Sequence, residues 1–311
     1  MSNAFTFPGQ GSQKVGMGKE LAEQFSAAKA VFDEVDDAVG KKLSNIMWEG
    51  STDELTMTEN AQPALMAVSM AVMRVLEQEK GFDLAASAKF IAGHSLGEYS
   101  ALAAGGAISL ADTAKLLQIR GRAMQQAVPV GEGAMAAILG LDFDPVMEIA
   151  IEAAQGDICT AANDNAPGQV VVSGSKAAVE RAMALASERG ARRAMLLPVS
   201  APFHCQMMSP AAEAMQEALA NVTIKAPSAP LIANVLAAPI TSPDDIRQRL
   251  VEQVTGTVRW RESVVFMAAN GIETLYEVGA GKVLSGLARR IERSLDTNAI
   301  GTPDDIDSFS L

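Results

Sequence analysis

The chain has 311 residues, 49% hydrophobic and 20% charged, an ordinary globular balance with ample material for a buried core. Its formal charge of −12 excludes nucleic acid as a main partner, since phosphate backbones are met by basic faces. No apolar run approaches the roughly 18 residues of a membrane span, and two distant cysteines, Cys159 and Cys205, give neither a disulfide framework nor a zinc motif.

Residues 4–7 read as a short buried strand ended by Pro8, Gly9 and Gly11. Apolar residues recur at helical spacing over 65–76, just after Gln62-Pro63, and proline suits the first turn of a helix. The N-terminal segment carries no basic and apolar signal regions, so a cytoplasmic location is expected. Phe90-Ile91-Ala92 reads as a second buried strand, running through Gly93 into a helix from Leu96; a further helix covers 110–126. Strand, tight turn and helix in succession predict an α/β fold, with a hydrolase-like core around a parallel sheet.

From residue 134 the rhythm changes. Strand 134–141, helix 144–155, strands 158–162 and 169–173 about a turn-rich 163–168, helix 176–189 closed by Gly190, and strand 193–199 follow in turn. The order β-α-β-β-α-β is that of a ferredoxin-like module. An inserted ferredoxin-like subdomain is expected at 129–199, within a catalytic core made of 1–128 and 200–311. The core resumes with a helix over 207–219, a strand near 231–235, a helix around 244–254, a strand at 275–278 and a helix over 282–293. The acidic tail after Thr302 is expected to be loosely held.

Gly93-His94-Ser95-Leu96-Gly97 is a G-x-S-x-G sequence placed between a predicted strand and a predicted helix. Glycines there permit a sharp turn that lifts the serine hydroxyl clear of the backbone, and the helix N-terminus aims N–H groups at a developing oxyanion. Five residues alone make a weak signal, and a plain strand-to-helix turn is the bland reading; position after a strand favours a nucleophile, Ser95. A serine nucleophile needs a base, and the chain has two histidines. His94 adjoins the serine and points elsewhere on such a turn, where it is expected to hydrogen-bond to backbone, which leaves His204 in Ser200-Ala201-Pro202-Phe203-His204. A third, acidic member is not evident: Asp112, Asp142, Asp144, Asp157 and Asp164 look like caps or turn residues, and a carbonyl is the alternative partner for the imidazole. Cys205 has no argument for a lowered pKa and is set aside as a nucleophile. The glycine-rich turn Phe7-Pro8-Gly9-Gln10-Gly11-Ser12 lacks the ending of a nucleotide-binding loop. The N–H groups of Gln10 and Leu96 fit an oxyanion hole.

Together these motifs resemble the malonyl-CoA:acyl carrier protein transacylase family. The resemblance runs from about residue 4 to 300, through Phe7 to Gln13, Gly93 to Tyr99, Gln118-Ile119-Arg120-Gly121-Arg122, Asn165 to Gln169, Pro198 to His204 and Glu277 to Leu284. It implies ping-pong transfer of a malonyl group from malonyl-CoA to the phosphopantetheine thiol of acyl carrier protein, supplying fatty acid elongation. By resemblance Ser95 is the nucleophile, His204 the base, the Gln253 backbone carbonyl the group that orients it, and Arg120 the clamp on the malonyl carboxylate. Phe203 stands where relatives sort malonyl from methylmalonyl; the block reads Ala-Pro-Phe-His and not the His-Ala-Phe-His of many modular synthases. No cofactor and no metal are implied, and a monomer is expected. Arg289 and Arg290 are candidates for phosphates of coenzyme A or an acidic carrier, with Lys41, Lys42, Arg189, Arg192 and Arg193 behind them; Asn163, Asn165 and Gln62 are candidates to line the pocket. The rivals are a serine thioesterase or hydrolase, a trans-acting acyltransferase of a polyketide synthase, and a scaffold without activity.

Overall fold

Short apolar segments that alternate with helices have their backbone hydrogen bonds satisfied only by pairing with one another, and here they do so in two sheets. The computed structural model describes residues 2–199 and 201–310; Ser200, part of the motif before His204, lies outside the described residues. In chain order the strands are β1 (Asn3–Phe7), β2 (Phe90–Gly93), β3 (Gly133–Leu139), β4 (Cys159–Ala166), β5 (Gln169–Ser175), β6 (Arg193–Leu196), β7 (Leu231–Ala233), β8 (Ala238–Ile240), β9 (Thr274–Val278) and β10 (Asp296–Ile300).

The larger sheet has the order β10-β9-β1-β2-β7-β8. Its first five strands are parallel and β8 returns antiparallel on β7. The smaller sheet is antiparallel throughout, order β4-β5-β3-β6. With helices Phe143–Ala154 and Lys176–Glu188 it has the β-α-β-β-α-β order. These two helices cover one face of it with Val146, Ile149, Val179 and Ala182 against Ile138, Val170 and Val172. The smaller sheet is tied to the core where Val258, between the helices Pro243–Glu252 and Trp260–Ala269, exchanges backbone hydrogen bonds with β4, at 2.9 Å to the Ala162 carbonyl and 3.0 Å from the Asp164 N–H. Arg261 adds an ion pair at 2.8 Å to the buried Asp164 carboxylate.

Several elements differ from expectation, each for a physical reason. The helix expected at 65–76 runs over Thr58–Lys80, and Pro63 is inside it and not in its first turn. Its polar opening, Thr58, Asn60 and Gln62, hides the helical periodicity; all three are buried, Asn60 against Lys41 and the Glu54 carbonyl and Gln62 against Arg120. Residues 163–166, expected as turn, continue β4 through two bulges. The strand expected to reach 199 stops at Leu196. The tail is not loose: Pro303–Ser308 is a helix closed by a Thr302–Asp305 capping box, and Phe309 meets the rings of Phe82 and Tyr276. Helices Lys19–Gln24, Ser26–Val39, Leu43–Glu49, Thr52–Thr56 and Trp260–Ala269, with β8 and β10, have no counterpart in the motif-led reading.

Candidate active site

Ser95 stands between β2 and the helix Leu96–Ala104, with φ 53° and ψ −109°, a conformation costly for any residue with a Cβ. The flanking glycines make the turn possible. A Cβ on Gly93 would sit 1.9 Å from the Gly97 carbonyl carbon, and one on Gly97 would sit 2.2 Å from the Phe7 oxygen. The end of β1 therefore presses on the start of this helix, and the Gln10 turn that follows β1 is brought beside the serine turn. Leu96 is the first residue of the helix, so its N–H lies among those without an intrahelical acceptor.

His204 reaches Ser95 from a loop 109 residues further on, its Nε2 2.8 Å from the serine Oγ. It too holds a positive φ, 58°. The tautomer follows from its other nitrogen. Nδ1 lies 2.8 Å from the Gln253 carbonyl and 3.2 Å from the Gly256 carbonyl, both pure acceptors, so Nδ1 carries the proton and Nε2 is free to accept from the serine hydroxyl. None of the candidate acids orients the ring. Asp112 pairs with Ser109, Asp142 accepts from the Gly168 N–H, Asp157 pairs with Arg181 and Asp164 with Arg261. Burial first, and then the nearby Arg120 charge, push the His204 pKa down to about 3, which keeps the ring a neutral acceptor in mildly acid solution.

Arg120 is buried on the helix Leu110–Gln126. Its NH1 donates to Gln62 Oε1 at 2.8 Å; its NH2 donates to Gln253 Oε1 at 2.9 Å and to Ser95 Oγ at 3.0 Å. Its Nε has no partner among the described residues, and the Tyr99 ring lies 5.6 Å from the guanidinium. No carboxylate among the described residues touches it. Gln253 relays the charge instead, donating from Nε2 to Glu98 Oε2 at 2.8 Å and to the Ser95 carbonyl at 2.9 Å. Asn234 completes the frame: its Oδ1 accepts from the Ser95 N–H at 2.8 Å, its Nδ2 donates to the Gly93 carbonyl at 2.7 Å, and its own N–H donates to Glu98 at 3.0 Å. What results is a hydroxyl poised between a neutral imidazole and a buried cation, which suits attack on an acyl group that carries a negative charge.

Residues 4–299 match the family model described as an acyl transferase domain. The chain is 48% identical to the malonyl CoA-acyl carrier protein transacylase of Bacillus subtilis (strain 168), over 98% of this chain and 95% of that protein. It is 46% identical to the Escherichia coli (strain K12) protein of the same name, over 96% of each. Among solved structures, the acyl-carrier-protein-S-malonyltransferase of Bartonella henselae superposes with a TM-score of 0.97 at 58% identity, covering 99% of this chain and 98% of that one. The chain belongs to the malonyl CoA-acyl carrier protein transacylases.

Ser95, His204, Arg120 and the Gln253 carbonyl meet at one point, Leu96 follows Ser95 as the first residue of its helix, and Phe203 is buried beside His204. Besides the expected backbone contact, His94 bonds to the Asn165 side chain, Nε2 to Oδ1 at 2.8 Å, and packs against Trp260; burial lowers its pKa. Asn165 thereby ties β4 to the serine turn. Gln62 faces Arg120, whereas Asn163 is buried in the β4 junction with Val258. Cys205 is buried with its thiol on the Pro202 carbonyl, and burial raises its pKa, the opposite of what a nucleophile needs. Five of the candidate phosphate ligands are already engaged, Arg289 with Thr297, Arg290 with Gln169 and the Pro167 carbonyl, Arg189 with Glu152, Lys41 with Asn60 and Lys42 with Asp36, whereas Arg192 and Arg193 are exposed. Glu98, Asn234 and the side chain of Gln253 are the functional residues that sequence reasoning missed. Glu98 lies inside the quoted serine motif, but its burial has no local signature. No group of His, Cys, Asp and Glu that could hold a metal ion occurs among the described residues, and no helix among them is long and apolar enough to cross a membrane.

Proposed function

We propose that the chain transfers the malonyl group of malonyl-CoA to the phosphopantetheine thiol of acyl carrier protein through an ester on Ser95, and so supplies fatty acid elongation. The observation that carries this reading is the sharing of one hydroxyl, Ser95 Oγ, by His204 Nε2 at 2.8 Å and the buried Arg120 guanidinium at 3.0 Å. His204 takes the hydroxyl proton as Oγ attacks the thioester carbon. The N–H groups of Gln10 and Leu96 hold the tetrahedral oxyanion, and collapse breaks the C–S bond, the proton passing from His204 to the departing thiolate. In the second half the carrier thiol gives its proton to His204 and attacks the ester, and Ser95 recovers its hydrogen. The Gln253 carbonyl keeps the imidazole in the working tautomer throughout. Arg120 pairs with the distal carboxylate of the acyl group, and Phe203 crowds its α-carbon. An acetyl group would leave that buried cation unmatched.

The reading needs no cofactor and takes the chain as a cytoplasmic monomer that binds neither nucleic acid nor membrane. It also divides the chain into a catalytic core, 1–128 and 200–311, and an inserted subdomain, 129–199. In support, every strand of the larger sheet falls in the first set and every strand of the smaller sheet in the second. A polyketide carrier as acceptor is the second reading. It is favoured by a solved complex of a type II PKS acyl-carrier protein with its malonyl-transacylase, which is 41% identical with a TM-score of 0.95, covering 99% of this chain and 98% of that one.

The test is intact mass after incubation with malonyl-CoA, followed by addition of phosphopantetheinylated carrier. A malonyl-sized adduct that moves to the carrier is expected. An adduct lost to water equally fast without carrier would make the protein a hydrolase. Side-by-side rates with fatty acid and polyketide carriers separate the two acceptor readings.

A further inference from the structure

Glu98 lies three residues after the nucleophile and is fully buried. Both donors that reach its carboxyl, the Asn234 N–H and Gln253 Nε2, converge on Oε2. Oε1 has no hydrogen-bond partner among the described residues. A carboxyl that accepts two bonds on one oxygen and none on the other can gain a proton at the idle oxygen without losing either bond.

The charges around it are few. Arg120, from the helix Leu110–Gln126, is the cation that acts on Glu98, and it does so across the Gln253 amide. Asn234, Gln253 and Gln62, from the other elements packed around this network, are neutral. Tyr99, on the same helix as Glu98, is held protonated by burial, its pKa raised further above its ordinary value. His204 and His94, around Ser95, are both held neutral by burial, which lowers their pKa values. With Glu98 ionised, the buried Arg120–Glu98 pair therefore carries no net charge. An acyl carboxylate arriving at Arg120 brings a second anion to the same guanidinium, and a buried uncompensated charge is among the costliest things a protein can hold.

We propose that binding of the acyl carboxylate at Arg120 is coupled to uptake of one solvent proton at Glu98 Oε1, so that the loaded site remains neutral. This rests on the malonyl-transfer reading. The balance is simple: a solvated proton becomes the Oε1 hydrogen, the carboxylate becomes a carboxylic acid, and no other bond changes. Burial has already lifted the Glu98 carboxyl to about 7 against the opposing pull of Asn234, Gln253 and Arg120, so little further shift is needed near neutrality. An acyl group without a distal carboxylate brings no anion and takes up no proton. Selectivity for malonyl over acetyl binding therefore rises as pH falls from about 8 toward 7.

The experiment uses the full chain with Ser95→Ala, which cannot be acylated, titrated calorimetrically at pH 8 with malonyl-CoA and, separately, with acetyl-CoA. Each titration is run in two buffers of different ionisation enthalpy. The expected result is that malonyl-CoA takes up most of one proton more than acetyl-CoA does, and that Glu98→Gln removes this excess. Malonyl-CoA binding with no excess uptake overturns the proposal alone; no malonyl-CoA binding at all overturns the transfer reading with it. An excess that survives Glu98→Gln places the proton on His204 and also overturns the proposal. Should Glu98→Gln fail to fold, the Ser95→Ala chain by itself decides. Its infrared difference spectrum with malonyl-CoA should gain a protonated carboxyl band that acetyl-CoA does not produce, and the lack of that band overturns the proposal.

Discussion

The core behind the smaller sheet is built from Ala136, Ile138, Val146, Ile149, Val170, Val172 and Val179, all apolar. Beside the larger sheet the buried set includes Gln62, Glu98, Arg120, His204, Asn234 and Gln253, which are linked to one another by hydrogen bonds, with Glu98 Oε1 and Arg120 Nε left without partners among the described residues. The first region is held by packing, which is tolerant of chemistry and sensitive to volume. The second is held by a closed polar network, which is tolerant of little and fails as a unit. Substitutions in the packed region should therefore act on stability, and those in the polar network on rate and on the pH dependence of stability.

The largest expected effect is on the polar side. His204→Ala should lower Ser95 acylation by on the order of 10³-fold, as loss of a general base does, while the thermal midpoint stays close to that of the parent. Acylation within a few fold of the parent would remove His204 from its role. Next, Arg120→Ala should lower malonyl transfer by about 10²-fold, the worth of a charge-assisted pair of roughly 3 kcal/mol, and leave acetyl transfer far less affected. Equal losses for both acyl groups would mean that Arg120 merely holds the network. On the apolar side, Ile149→Ala should cost about 2–4 kcal/mol in denaturant unfolding with kcat of the folded protein unchanged. A matching fall in kcat would show that the small sheet does more than pack.

The pH dependence of stability sharpens the contrast within the network itself. Glu98 has its folded pKa raised to about 7, so the folded state binds its proton more tightly than the unfolded one. Its contribution is neutral below the unfolded value near 4.5 and becomes progressively destabilising as pH rises to about 7. His204 has its folded pKa lowered to about 3, so its contribution is intact above 6.5 and is lost as pH falls toward 3. The two oppose each other in mildly acid solution. Glu98→Gln should thus gain on the parent between pH 4.5 and 7, reaching on the order of 3 kcal/mol, and then level off. A gain independent of pH would assign the effect to packing. The smallest expected effect joins the two regions: Asn165→Ala removes the bond to His94 and should slow acylation severalfold, about 1 kcal/mol. No change in rate would make that contact a purely structural tie.

What was legible in the sequence follows the range of the forces involved. The serine turn could be read because its glycines answer local steric demands, and His204 because the chain has only one histidine besides His94. Arg120 and the Gln253 carbonyl needed the family resemblance. Nothing near Arg120 in sequence distinguishes a buried guanidinium from a solvated one, and a backbone carbonyl has no residue identity. Glu98 and Asn234 were invisible because the bonds that tie them to each other, and Asn234 to the serine turn, span 136 or more residues. Asn163-Asp164-Asn165 looked like a turn for a related reason. Their polar side chains are matched by the larger core, Asp164 by Arg261 and Asn165 by His94, so β4 runs through a sequence of poor strand propensity. The tail misled in the same way, its acidic residues capping a helix whose Ile306 is buried.

That the imidazole is steered by the main-chain oxygen of Gln253 has a bearing on heredity. An aspartate in the same place could be lost through a single coding change, and with it the tautomer. A carbonyl belongs to every amino acid, so no missense change at position 253 deletes the atom that His204 uses. Such changes reach the histidine only by shifting the end of the helix Pro243–Glu252 or by unlinking Arg120 from Glu98. Variation at this position is thereby steered away from His204 and toward Arg120 and Glu98; on the proposed reading it can alter which substrate is preferred while the transfer chemistry is inherited intact.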